Sequence, residues 1–222
     1  MKKSCSIFAL VAALLLVAMP AKAADTGDAD KAHFGVRLQF DMNTSTKYSH
    51  MFHFGPGVSA GINYYAPFGK ITYFNTELLF SYDTFGYEGD TENKYNRRHL
   101  DGSLNMLGLR LPLQIGVKFI DKAKLRLSAY TGPAFYFNFS LKADYTETSS
   151  RGSEKVKKDY SNSGAEMGWT LGVAADFSRR WHAHVQGTLG LTNMGMTDDL
   201  GTGRNGANFK RAEISVGVGY NF

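Results

Sequence analysis

The 222 residues contain one cysteine, Cys5, and beyond the first two dozen positions no segment carries apolar residues at helical spacing. These absences exclude a disulfide scaffold, thiol chemistry and helical membrane spans from the body of the chain. A large charge of one sign is missing as well. The chain has 25 Lys and Arg against 20 Asp and Glu. Lys2, Lys3 and Lys22 fall in an N-terminal leader that holds no acid, so the remainder is left with 22 basic residues against 20 acidic ones. That balance gives no electrostatic footprint for nucleic acid, and no nucleic-acid partner is expected.

The leader is legible from its own layout. Met1, Lys2 and Lys3 make a basic start, Ile7 to Met19 is an apolar run too short to span a bilayer, and Ala21-Lys22-Ala23 is a small-residue cleavage pattern. This predicts a secretory signal peptide over 1–23, cut after Ala23, and a single domain over 24–222. Cys5 would leave with it, and its place ahead of the apolar run argues against a lipid anchor.

What is present after residue 32 is alternation. Phe34, Val36, Leu38, Phe40 and Met42 oppose Gly35, Arg37, Gln39 and Asp41. Leu107, Leu109, Leu111, Leu113, Ile115, Val117 and Phe119 oppose Gly108, Arg110, Pro112, Gln114, Gly116 and Lys118. The segments at 125–141, 166–177 and 213–222 repeat the pattern, with Leu125, Leu127, Phe137, Phe139 and Leu141 assigned to one apolar face. A period of two with one bulky, uncharged face and one face of Gly, Ser, Thr, Gln and scattered charge describes strands between lipid and a lumen. Eight strands are predicted, at 33–43, 53–65, 71–83, 103–119, 124–142, 164–178, 181–193 and 209–222.

The connections give the orientation. Those at 66–70, 120–123 and 179–180 are short; those at 44–52, 84–102, 143–163 and 194–208 are long and polar. Outer-membrane barrels have short periplasmic turns and longer extracellular loops. The expected fold is therefore all-β: an antiparallel up-and-down transmembrane β-barrel of eight strands with periplasmic N- and C-termini, in the cell outer membrane. Aromatic residues near the strand ends (Tyr64, Tyr65, Phe68, Tyr82, Phe85, Trp181, Tyr220) fit interfacial girdles. Outer-membrane lipid is the expected surround, and the final strand ending in Phe222 the signal for the outer-membrane assembly machinery. Pro56, Pro112 and Pro133 fall inside strands, where proline removes a ladder donor. With Phe119 paired to Leu125, Pro112 would face Gly132 beside Pro133, and a bulge or break is expected there.

"LRLPLQIGVKF" (109–119) followed by "LSAYTGPAFYF" (127–137), with "GTLGLTNM" (187–194) and "ISVGVGYNF" (214–222), resembles the PorT-like outer-membrane barrels. The resemblance extends over the layout of residues 24–222 and implies the barrel fold. It brings no catalytic residues. The family's named member serves a protein-secretion system, which makes a secretion or envelope-assembly role one alternative implied by the resemblance.

Chemistry-bearing residues are few. The inward face carries Arg37, Glu77, Arg110, Arg126, Glu166, Asp176, Arg211 and Glu213. Buried charges need partners, so a lumenal salt-bridge network filling the barrel is expected, with Glu77 level with Arg110 and Arg126 level with Asp176. His182 and His184 alternate on one face without a third metal ligand. His50, His53 and His99 lie toward the outer end without an ordered partner. Asp90, Glu92 and Asn93 lack the spacing of a calcium loop, and "GTGRNG" (201–206) sits in a polar loop outside any βαβ unit. No catalytic residue, cofactor or metal is expected. The sequence points to a non-enzymatic barrel with a side-chain-filled lumen and a structural or surface-interaction role, its loops facing an envelope or extracellular protein partner. The alternatives are a component of a secretion or envelope-assembly machine and a narrow solute channel.

Overall fold

The computed structural model describes residues 31–46, 52–93, 96–122, 124–149, 152–160, 164–178, 180–193 and 210–222. The signal-peptide assignment (1–23), the 201–206 loop and His50 lie outside the described residues. Among those described there are ten strands: β1 (His33–Ser45), β2 (Phe52–His53), β3 (Gly55–Pro67), β4 (Thr72–Asn93), β5 (Asn96–Asp121), β6 (Leu125–Ser149), β7 (Gly152–Tyr160), β8 (Ala165–Phe177), β9 (Trp181–Gly190) and β10 (Arg211–Asn221). Eight of them close a ring in the order β1-β3-β4-β5-β6-β8-β9-β10, and β10 pairs back onto β1. Every pairing is antiparallel. Closure leaves none of the eight strands with a free edge.

The alternation sorts the side chains as a barrel requires. Phe34, Val36, Leu38, Phe40 and Met42 are exposed on the outer surface, while Arg37, Gln39, Asp41, Asn43 and Ser45 of the same strand are buried inside. The outer belt continues through Val58, Ile62, Phe80, Ile115, Val117, Trp169, Leu171, Val173, Val216 and Val218. At the end where β1 begins and β10 finishes it closes in a girdle where Trp181 meets Tyr220 edge-on at 5.2 Å and Phe34 lies tilted against Tyr64 at 4.9 Å. Inward glycines make room for large polar rings. Gly116 and Gly172 lie beneath the rings of Tyr73 and Tyr130, where any Cβ would overlap them.

The structure departs from the sequence reading in four places. The segments 84–102 and 143–163, read as long polar loops, are largely strand. β4, β5 and β6 run 22, 26 and 25 residues, against the 9–11 needed to cross a bilayer. Their surplus, joined by β2 along β4 and β7 along β6, forms a sheet that projects beyond the lipid belt. Second, two of the aromatics assigned to the girdles, Tyr65 and Phe85, point inward and are buried. Third, Leu141 faces inward, not outward, because Phe139 is bulged: Leu107 pairs Ser140 while Gly108 pairs Asn138, and the extra residue inverts the alternation.

The fourth concerns the prolines. The hairpin closes with Asp121 opposite Arg126, not Phe119 opposite Leu125, and after a second bulge at Phe119 Pro112 faces Ala134 instead of Gly132. Bridges are missing at Leu113 and Gln114 toward β6, and at Leu111 and Pro112 toward β4, without any register change. The ladder is broken around the prolines but not bulged. On the adjoining β6–β8 seam the Thr131 hydroxyl donates to the Thr170 carbonyl (2.8 Å) and accepts from the Trp169 indole (2.8 Å). Polar groups next to Pro133 on the lipid side are thereby satisfied.

Candidate functional site

The alternation of eight strands delivers their polar face to one narrow space, and an eight-stranded barrel is just wide enough for side chains to fill it. All eight charges picked from the sequence are buried there: Arg37, Glu77, Arg110, Arg126, Glu166, Asp176, Arg211 and Glu213. They fall into two groups along the barrel axis.

The central group is built on two guanidinium groups. Arg110, from β5, reaches Asp41 of β1 at 3.2 Å, Glu213 of β10 at 2.7 Å and Asp83 of β4. Arg211, from β10, reaches Asp83 at 3.0 Å, Glu166 of β8 at 3.3 Å and Glu213 at 3.5 Å. Ser59 donates to Asp41 at 2.9 Å, Ser215 to Glu213 at 2.9 Å and Asn43 to Asp83 at 3.0 Å; Asn138 donates to Glu166. The ion pairs of the two guanidinium groups alone tie five strands across the lumen. The expected pairing of Glu77 with Arg110 does not form. Arg110 stands opposite Leu79 in the β4–β5 ladder, and its long side chain is taken up by Asp41, Asp83 and Glu213. Glu77 accepts from Gln39 at 2.9 Å and lies 3.9 Å from Arg37.

The second group closes the end where β1 begins and β10 finishes. Arg126 and Asp176 are level in the β6–β8 ladder and 3.8 Å apart. Arg126 also contacts Asp121 at 3.4 Å, and Lys118 meets Asp121 at 3.3 Å. His182 bonds Asp176 at 2.7 Å through Nδ1, so the His182–His184 pair is engaged with a carboxylate and with its own ring contact at 5.2 Å. Between the groups, Tyr73 donates to Ser128 at 2.9 Å and Tyr130 to Gln186 at 3.1 Å. A cavity of about 20 Å³ survives at this mouth, beside Arg37, Glu77, Tyr130 and Asp176. That is room for about one water.

On the other side of the central group lies an apolar layer: Phe85, Tyr87, Leu100, Leu104, Met106, Leu141, Ala143 and Tyr145, with Val156 of β7 packed against it. Arg211 joins the two layers, its guanidinium 4.5 Å from the Tyr136 ring centroid and 5.3 Å from that of Phe85. The lumen is thus charged at its centre and dry above it.

Sequence reasoning overlooked Asp41, Asp83, Lys118 and Asp121 as members of these networks. The first three were readable by parity, since Asp41 follows Arg37 and Gln39 on one face and Asp83 follows Glu77 at even spacing. The apolar layer was missed because Phe85, Tyr87, Leu100, Ala143 and Tyr145 lie in segments taken for loops, while Leu141 was assigned to the outer face.

Outside the lumen, one cluster gathers on the projecting sheet. Glu88 of β4 stands between His53 Nε2 (3.1 Å) and His99 Nε2 (3.8 Å), and His99 Nδ1 bonds Asp90 at 2.9 Å. The Asp90 hydrogen bond holds the His99 imidazolium above the ordinary histidine range. His53 and His99 therefore do have ordered partners, contrary to the sequence reading. The Glu92 and Asn93 side chains lie outside the described residues, and Asp90 is engaged by His99. Among the described residues no group of three or more His, Cys, Asp and Glu side chains is placed to hold a metal ion.

Likeness to solved structures is low in sequence. The neisserial surface protein NspA matches at 13% identity over 87% of this chain and 100% of its own, with a TM-score of 0.45. Ail, the attachment invasion locus protein of Yersinia pestis, matches at 12% over 87% and 100%, with a TM-score of 0.38. The N-terminal β-barrel domain of Pseudomonas aeruginosa OprF matches at 11% over 86% and 100%, with a TM-score of 0.33. No curated protein matches the sequence. The model of one family, described as outer membrane protein β-barrel domain, matches residues 25–195. The chain belongs to that family of outer-membrane β-barrels.

Proposed function

We propose that this protein is a non-enzymatic outer-membrane scaffold whose plugged barrel holds the β4–β7 sheet out from the cell surface as an interaction surface. The observation that carries the reading is the pairing of a filled lumen with three overlong strands. Arg110 and Arg211 tie five strands across the interior, and the apolar layer seals the space above them. A solute path would need water-lined space along the axis, whereas the central charges are spent on one another. Binding surfaces are commonly displayed on rigid supports of this kind. The chemistry of such a partner is that of an envelope or extracellular protein.

The same reading sets the termini in the periplasm and the projecting sheet outside. Residues 24–222 contain no cysteine, which makes the topology directly testable. Glu154→Cys, in β7, is expected to react with a membrane-impermeant maleimide on intact cells, and Lys122→Cys only after the outer membrane is permeabilised. The reverse pattern sinks the orientation. In planar bilayers the purified protein is expected to give no current steps; discrete steps would favour the channel alternative. The short motifs around Pro112 and Gly132-Pro133 support a PorT-like branch of the family, and with it a secretion-linked role as the second reading. Recovery of envelope secretion components with the protein, lost on altering the short turns and kept on altering β7, would favour that role.

A further inference from the structure

We propose that the turns at the end where β1 begins and β10 finishes form a cationic ring that binds the headgroups of net-anionic glycerophospholipids. Five exposed cations stand there: Lys31 ahead of β1, Lys70 in the β3–β4 turn, Lys122 and Lys124 in the β5–β6 turn, and Arg180 in the β8–β9 turn. Each turn supplies at least one, and none of the five pairs with an acid among the described residues. Asp121 is the exposed acid among the described residues of these turns, and Lys118 (3.3 Å) and Arg126 (3.4 Å) hold it. The projecting sheet differs. There Glu88, Asp101 and Asp144 share the exposed surface with Lys142, Lys155 and Lys157, so charge of one sign gathers at one end only.

Height identifies what the ring meets. Arg180 directly precedes Trp181 of the girdle, and Lys70 lies between the exposed Phe68 and Ile71. Lys31 is three residues from Phe34, and Lys122 three from Phe119. Three residues of a strand tilted by about 40° climb roughly 8 Å. The headgroup layer beyond the hydrocarbon is about 5–7 Å deep, and flexible basic side chains reach across such a difference. The cations are therefore level with lipid phosphates. The turns also hold them in place. Lys122 and Leu125 exchange both backbone hydrogen bonds (3.0 and 3.2 Å), Phe68 N–H donates to the Thr72 carbonyl across Lys70 (3.2 Å), and the Arg180 carbonyl accepts from Asn221 N–H at 2.7 Å.

Net charge then selects the lipid class. A zwitterionic headgroup brings its own cation, which the ring repels. A headgroup whose phosphate is its only charge gains from every member, by about fivefold in occupancy per cation. An acidic protein segment would meet the same charges, but the girdle beside them sets them against membrane and not in open solvent. The inference rests on the orientation proposed above only for which leaflet supplies the lipid.

The chain has two tryptophans, so Trp169→Phe leaves Trp181, next to Arg180, as the reporter. This protein is placed in phosphatidylcholine vesicles holding a minor share of phosphatidylglycerol, with one lipid or the other brominated in its acyl chains to quench the indole. Brominated phosphatidylglycerol is expected to quench Trp181 severalfold beyond its share of the lipid, whichever way the barrel inserts. The enrichment should vanish when Lys70→Gln, Lys122→Gln, Lys124→Gln and Arg180→Gln are combined. It should persist when Lys142→Gln, Lys155→Gln and Lys157→Gln are combined, with folding checked by the heat-dependent gel shift. Without any of these charge substitutions, raising salt from about 0.05 to about 0.5 M should lower the enrichment, because exposed charges are screened. Quenching in proportion to lipid share overturns the proposal, as does enrichment that survives the fourfold substitution or high salt. Micromolar binding of soluble polyglutamate that needs the four cations, with no lipid enrichment, would assign the ring to an acidic protein partner instead.

Discussion

Two buried residues show how unlike polar groups in one lumen are. Arg110 is surrounded by Asp41, Asp83 and Glu213, and its removal leaves three carboxylates in a closed space with one guanidinium, Arg211, nearby. Breaking a buried ionic cluster by deleting one partner typically costs about 3–5 kcal/mol. Arg110→Met is expected to lower stability by that amount, measured as urea unfolding of the protein in lipid vesicles. His184 is equally buried, yet neither ring nitrogen has a hydrogen-bond partner among the described residues. Replacing such a group by an apolar side chain of similar size is nearly neutral, so His184→Leu is expected to change stability by less than about 1 kcal/mol. Equal losses from the two substitutions would show that burial, and not ionic partnership, sets the energetics of the lumen. On the surface, His99 is expected to titrate above the usual 6.5 because it donates to Asp90. The raised value means its small contribution is present at low pH and lost as pH rises through the folded-state value. Asp90→Asn should bring the His99 titration, followed by NMR of the imidazole, back down; an unchanged midpoint would contradict the assignment.

At the scale of elements, the sequence revealed strands wherever bulky apolar residues face lipid, because a lipid face carries an uninterrupted hydrophobic signal. It failed where strands leave the bilayer. In 84–102 the apolar positions Phe85, Tyr87 and Leu100 face inward while Glu88 and Asp101 face solvent, so the outer surface reads as a polar loop. The bulge at Phe139 compounds the difficulty, since it inverts the parity of β6 and hides Leu141, Ala143 and Tyr145 behind an apparent break in pattern. The lumenal charges were legible by parity alone, but their partners were not: strand height decides them, and height depends on bulges that no single residue announces. The projecting sheet therefore has its own small core, distinct in composition from the barrel interior. Leu104 is 1% exposed within it. Leu104→Ala is expected to cost about 2–5 kcal/mol, with the loss localised. Proteolysis within 143–160 should accelerate while the membrane-embedded barrel keeps its gel shift. Loss of both together would mean that the sheet and barrel unfold as one unit.

For the whole molecule, the question is whether closure of the barrel depends on the sheet it carries. The lipid belt, both bulges, the proline-broken ladder and the central ionic group lie at or below Asp83, Arg110 and Phe139. The ring itself is completed by β10 pairing with β1, far from the projecting strands. The β10–β1 ladder itself pairs no described residue of β2, β7 or the outer thirds of β4, β5 and β6. Arg211 reaches across, through its contacts with Phe85 and the Met106 sulfur. A chain in which 87–101 and 143–160 are each replaced by a short turn is therefore expected to fold into vesicles, with stability reduced by roughly the few kcal/mol that partial loss of a buried apolar cluster represents. It should also remain non-conducting, because the Arg110 and Arg211 group still blocks the axis when the apolar layer is gone. Current steps in planar bilayers from this shortened chain, and none from the parent, would assign the seal to the apolar layer alone. The ionic group would then be a brace between strands and not the plug.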